Sequence, residues 1–179
     1  MKTAGLPVAL LVAGLLHAPC AWSAEPEQAA APPAAGVAAL TQQAARAKNP
    51  DEAVALLKQA MGLAPEEPGV HMNYASVLFK TGQAILATGK KEDGRVVFRE
   101  VEKELLAALR LAKNEPDPVH RAQLRSQSNF LLGDITMYVF TNKEKAKSYY
   151  QEALWYDPQH PGALEARQRY GESLERKAQ

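Results

Sequence analysis

From Val37 onward, apolar and small residues return every three or four positions, the period of helices with one buried face. Val37, Leu40 and Ala44 mark the first stripe. Asn49-Pro50-Asp51 interrupts it and opens a helix that reaches Leu63. Proline suits a first helical turn, and Asp51 and Glu52 suit the positive end of the helix dipole. Ala53, Leu57 and Ala60 share one side of this helix, and Pro65 to Pro68 ends the unit. His71, Tyr74, Ala75 and Leu78 then follow Val37, Leu40, Thr41 and Ala44 at a distance of 34 residues, up to Gly82. The next stripe, Val97, Val101, Leu105 and Ala108, comes late. Ala108 lies 48 residues after Ala60, so 14 residues have been added, among them the polar stretch Gly89-Lys-Lys-Glu-Asp-Gly94, which reads as a solvated loop. The preceding helix is expected to run past Gly82 through Ile85 and Leu86. A long helix from Val119 to Phe140, a shorter one from Lys143 to Tyr156 and a last one from Pro161 to about Lys177 complete the pattern. That last helix carries Glu165, Arg167, Arg169, Glu172, Glu175 and Arg176 on its outer face, as a solvated cap should.

The pattern repeats itself internally. Ala53, Leu57, Ala60 and Pro65 recur as Ala146, Tyr150, Ala153 and Pro158, each pair 93 residues apart. A small residue, a large apolar one four later, a small one three later and a proline five beyond resembles the second helix of a tetratricopeptide repeat. The stretch from Val70 to Gly82 resembles a first helix of that family, and Leu132-Gly133 resembles its Leu-Gly pair, although Thr136 stands where a tyrosine is usual. The resemblance implies an all-α solenoid of about three helix pairs with a C-terminal capping helix and an insertion in the middle repeat. It covers residues 37–179 and is weakest from Gln83 to Arg125. The family's fold implies a groove for an extended peptide or a partner helix.

The first residues read as a targeting segment. Lys2, the apolar run Leu6 to Leu16 and the small residues Ala21 and Ser23 make residues 1–23 a signal peptide, with cleavage near Ala24 and a periplasmic or secreted product. The apolar run is shorter than the roughly 20 residues a membrane span needs. Pro19 before Cys20 fits a lipid-attachment signal poorly. Residues 24–36, rich in Ala, Pro and Glu, read as a flexible linker. Cys20 is the chain's one cysteine, so the mature protein has no disulfide. Of 21 Lys and Arg only Lys2 precedes Ser23, which leaves 20 basic against 20 acidic side chains. This balance argues against nucleic acid or a polybasic membrane grip.

No nucleophile elbow, phosphate loop, dinucleotide fingerprint or His-Glu-x-x-His motif occurs, so no enzyme chemistry, cofactor or metal is expected. His71 is expected at a helix interface. Asp157 and His160 flank prolines as turn residues. Tyr149, Tyr150, Trp155 and Tyr156 are expected to bury the junction with the last helix, with an exposed interface anchor as the alternative. In the implied groove, Met72, Asn73, Ser76, Phe79 and Lys80 project from one helix. Asn73 and Lys80 occupy positions that some members of the family use to hold a partner's backbone or terminal carboxylate, but the matching places in the first repeat are Ala39 and Arg46. The reading is an exported scaffold for a protein or peptide partner, an adaptor or assembly factor of an envelope or secretion complex. A structural subunit packed into a larger assembly is the alternative.

Overall fold

A computed structural model describes residues 33–175; the expected signal peptide and the linker up to Pro32 lie outside the described residues. Seven helices follow one another there, with no strand among them: α1 Pro33–Arg46, α2 Pro50–Leu63, α3 Pro68–Ala87, α4 Lys91–Leu111, α5 Pro118–Tyr138, α6 Lys143–Tyr156 and α7 Pro161–Glu175. A single 3-10 turn, Ala112–Asn114, extends α4. The chain is an all-α solenoid in which each helix packs on the next.

Local chemistry sets the helix ends. Asn49, Glu67 and Asp117 each accept a backbone N–H two residues on, and Asn142 accepts that of Lys145 at 3.1 Å. A proline at the first helical position follows three of these caps, where its missing N–H has no cost. His160 caps α7: its Nδ1 accepts from the Ala163 N–H at 3.3 Å while Nε2 donates to Gln127 Oε1 at 3.1 Å. α1 begins at Pro33, four residues before Val37.

Three apolar clusters lie in line along the stack, as expected for repeats that contact only their neighbours. The first joins α1, α2 and α3 through Val37, Ala44, Ala53, Leu57, Ala60 and Tyr74. The second joins α3, α4 and α5 through Ala75, Phe98, Val101, Leu105, Leu132 and Ile135, with Leu78 packed against it. The third joins α5, α6 and α7 through Met137, Ala146, Tyr150 and Ala166. Ala60 and Ala153 have no exposure at all, so neighbouring helices close on their β-carbons. Pro65 and Pro158 stand exposed in the turns after α2 and α6.

The middle repeat corrects the expected loop. Thr88, Gly89 and Lys90 alone connect α3 to α4, and Lys91 to Gly94 form the first turn of α4. The added residues lengthen both helices, to 20 and 21 residues against 14 in α2 and α6. Gly89 makes the sharp turn in the left-handed region, φ 83°. As expected, α3 runs past Gly82, which is buried inside it, and a Cβ there would come within 2.9 Å of the Phe98 ring. The polar stretch is helical because Glu92 and Asp93 suit a helix start and its outer side faces solvent.

The aromatic cluster needs a second correction. Tyr150 is buried and Tyr149 half-buried, but Trp155 is 80% exposed. It follows the buried Ala146 by nine residues, two and a half turns at 3.6 residues per turn, and so points away from the core. Tyr156 is half-buried, with the Arg125 guanidinium 4.5 Å above its ring. In α7, Glu165, Arg167 and Arg169 are exposed, while the side chains of Glu172, Glu175 and Arg176 lie outside the described residues.

Candidate functional site

The odd-numbered helices line one face of the stack, and a furrow separates each from the next. Between α1 and α3 it encloses about 650 Å³, lined by Val37, Thr41 and Ala45 on one side and Val70 and Asn73 on the other. Small residues, Ala38, Ala45 and Gly69, keep this furrow open and largely apolar. Between α3 and α5 it encloses about 290 Å³ lined by Met72, His120, Gln123 and Gln127. Between α5 and α7 it narrows to about 140 Å³ beside Phe130, Asp134, Tyr138 and Arg169.

Two amide side chains, Gln123 and Gln127, give the middle furrow both donors and acceptors. Charge is concentrated in the last one. Tyr150 donates to Asp134 Oδ1 at 2.8 Å, and Arg169 Nη1 donates to the Tyr138 hydroxyl at 3.1 Å. That hydroxyl lies 2.7 Å from the Tyr170 hydroxyl. Burial raises the Asp134 carboxyl above its ordinary range; the Tyr150 hydrogen bond and the Arg169 charge oppose it only in part. The Tyr150 phenol is pushed far up, first by burial and then by its bond to Asp134.

The residues expected in a groove divide between two furrows and the helix interior. Asn73 lines the α1–α3 furrow and Met72 the α3–α5 furrow. Ser76 is half-buried, and its hydroxyl donates to the Met72 carbonyl at 2.9 Å. Phe79 packs edge-on against Phe98, with ring centroids 5.4 Å apart. Lys80 is exposed and lines neither furrow. Thr41, Gln123, Gln127, Asp134 and Arg169 were missed. Their place along the furrows can be read only once the pairing of helices is fixed.

One buried histidine holds the helices that bear these residues. His71, buried, lies with Nδ1 2.7 Å from Glu104 Oε2 and Nε2 2.8 Å from the Pro65 carbonyl, tying α3 to α4 and to the preceding turn. Among the described residues no group of three or more His, Cys, Asp and Glu side chains could hold a metal ion. No described helix is long and apolar enough to cross a membrane.

Helix hairpins stacked in sequence, closed by alanine and glycine contacts and furrowed along one face, define a helical-repeat protein. Residues 44–84 match the family model described as tetratricopeptide repeat, a stretch that holds the end of α1, all of α2 and most of α3. That stretch is a tetratricopeptide-repeat segment, a motif typical of protein-interaction scaffolds. No curated protein matches the chain.

Proposed function

We propose that this protein is an exported scaffold, periplasmic or secreted, that holds an extended segment of a partner protein along its odd-helix face and serves as an adaptor or assembly factor of a bacterial envelope or secretion complex. The observation that carries the binding reading is the line of three furrows on one face of the stack. The α1–α3 furrow suits an apolar side chain. Asn73 at its edge can both donate to and accept from a peptide backbone. The furrows lie between packed helices, so a guest meets a preformed surface and little ordering cost on the scaffold side. The export reading is supported by Lys2, the apolar run Leu6 to Leu16 and the small residues before Ala24.

Replacement of Thr41 and Asn73 together by alanine should weaken capture of the native partner while leaving the helical circular dichroism unchanged. Undiminished capture by a folded double variant contradicts the groove. Mass spectrometry of the protein from its own cell should show a chain that starts near Ala24, and a retained Met1 contradicts export.

A further inference from the structure

A second groove of about 440 Å³ opens on the even-helix face, between α4 and α6, with α5 at its floor. Its chemistry differs from that of the odd-helix face. Arg110, Lys113 and Arg125 line it against a single acid among its lining residues, Glu152. Among the described residues none of these three cations has a carboxylate within salt-bridge distance. In a chain whose acids and bases otherwise balance, this is a local excess of positive charge. The Arg125 guanidinium is stacked on Tyr156, and its Nε is buried with no hydrogen-bond partner. A buried donor left unpaired costs about 1–3 kcal/mol, a deficit that an incoming acceptor could relieve. Leu106, 45% exposed, gives the groove an apolar wall that solvent alone covers. Lys145 and Glu102, 3.5 Å apart, bridge α6 to α4 and hold the two walls together.

We propose that this groove docks an acidic peptide segment of a protein partner, with Asp or Glu carboxylates on Arg110, Lys113 and Arg125 and an apolar side chain against Leu106. Guanidinium groups bind carboxylates through paired, charge-assisted hydrogen bonds, and the stack on Tyr156 orients Arg125 for such a bond in advance. The site lies on the opposite face of α5 from the furrow that holds Gln123 and Gln127, so the proposal stands independently of the odd-helix groove.

Fluorescence anisotropy on the full chain tests it with three probes. They are a labelled peptide of alternating Asp and Leu, its Asn-for-Asp counterpart and vesicles of phosphatidylglycerol. The Asp peptide should bind, and the Asn peptide should bind about tenfold more weakly or worse. Arg110→Gln with Lys113→Gln, both exposed positions, should lower affinity for the Asp peptide by a similar factor, whereas Asn73→Ala should not. Equal binding of the two peptides, an unchanged affinity in the folded Gln variant, or binding to vesicles alone each overturns the proposal.

Discussion

His71 and Glu104 meet at 2.7 Å inside the middle repeat, 33 residues apart in sequence, and together lock α3 against α4. The Pro65 carbonyl, 2.8 Å from Nε2, can only accept, so that nitrogen carries a proton, and the other side of the ring faces the carboxylate. His71→Leu should destabilise the protein by roughly 3–5 kcal/mol, because it leaves a buried carboxylate with one remaining partner. That partner is Lys103, 3.4 Å away, which places the loss toward the lower end. The double variant His71→Leu with Glu104→Leu should lose much less than the two single losses added together. Urea denaturation measures all three, and simple additivity contradicts the coupling.

Gly133 separates α5 from α6: a Cβ there would lie 2.5 Å from the Tyr150 ring. Alanine in a helix normally gains about 1 kcal/mol over glycine. At Gly133 the sign should reverse, since Tyr150 is buried and held in place by its hydrogen bond to Asp134. Gly62, with nothing within 4 Å of its Cβ, is the control, and Gly62→Ala should be neutral or stabilising. Thermal melts of the two variants decide this, and a Gly133→Ala as stable as the parent contradicts the close contact.

Asp134 adds a pH dependence whose sign follows from its raised pKa. Between the ordinary carboxyl value of 3.8 and the higher folded value, the folded state keeps a proton that the unfolded chain has lost. The contribution of this residue to stability is present below 3.8 and declines as pH rises through that window. Asp134→Asn removes the titration, and Asn can still accept from Tyr150. The stability of the Asn variant relative to the parent should therefore rise from about pH 3 to pH 7. A flat or falling difference in chemical denaturation across that range contradicts the assignment.

Leu57 tests the repeat register. It is 1% exposed, between Ala53 and Ala60 on the same helix side. Leu57→Ala should cost about 2–5 kcal/mol in the urea midpoint analysis. A loss under about 0.5 kcal/mol, typical of surface positions, contradicts its place in the core.

Elements with both a start signal and a stripe were legible in the sequence. α6 is an example: Asn142 before it, Ala146, Tyr150 and Ala153 along it and Pro158 after it gave its span, Lys143–Tyr156. The turn between α3 and α4 was not, because Gly94 looks like a loop residue until the helix that presses on it is known. Trp155 was read by its type; its phase relative to Ala146 placed it outside. The furrows were legible only in part. Asn73 follows from periodicity within one helix, but Gln123, Asp134 and Arg169 become part of a surface through the stacking of separate hairpins. The same is true of His71 and Glu104, whose meeting depends on the relative height of two helices, which one-dimensional patterns do not encode.

The most direct test of the scaffold reading places a photo-crosslinking amino acid at one position at a time in the protein as expressed in its own cell. Thr41, Asn73 and Gln123 lie on the odd-helix face, and the exposed Gln59 on α2 is the control. The account predicts that the three furrow positions yield an adduct with the same partner protein and that Gln59 yields none. Adducts of equal yield at Gln59, or none at any of the three furrow positions, would contradict it.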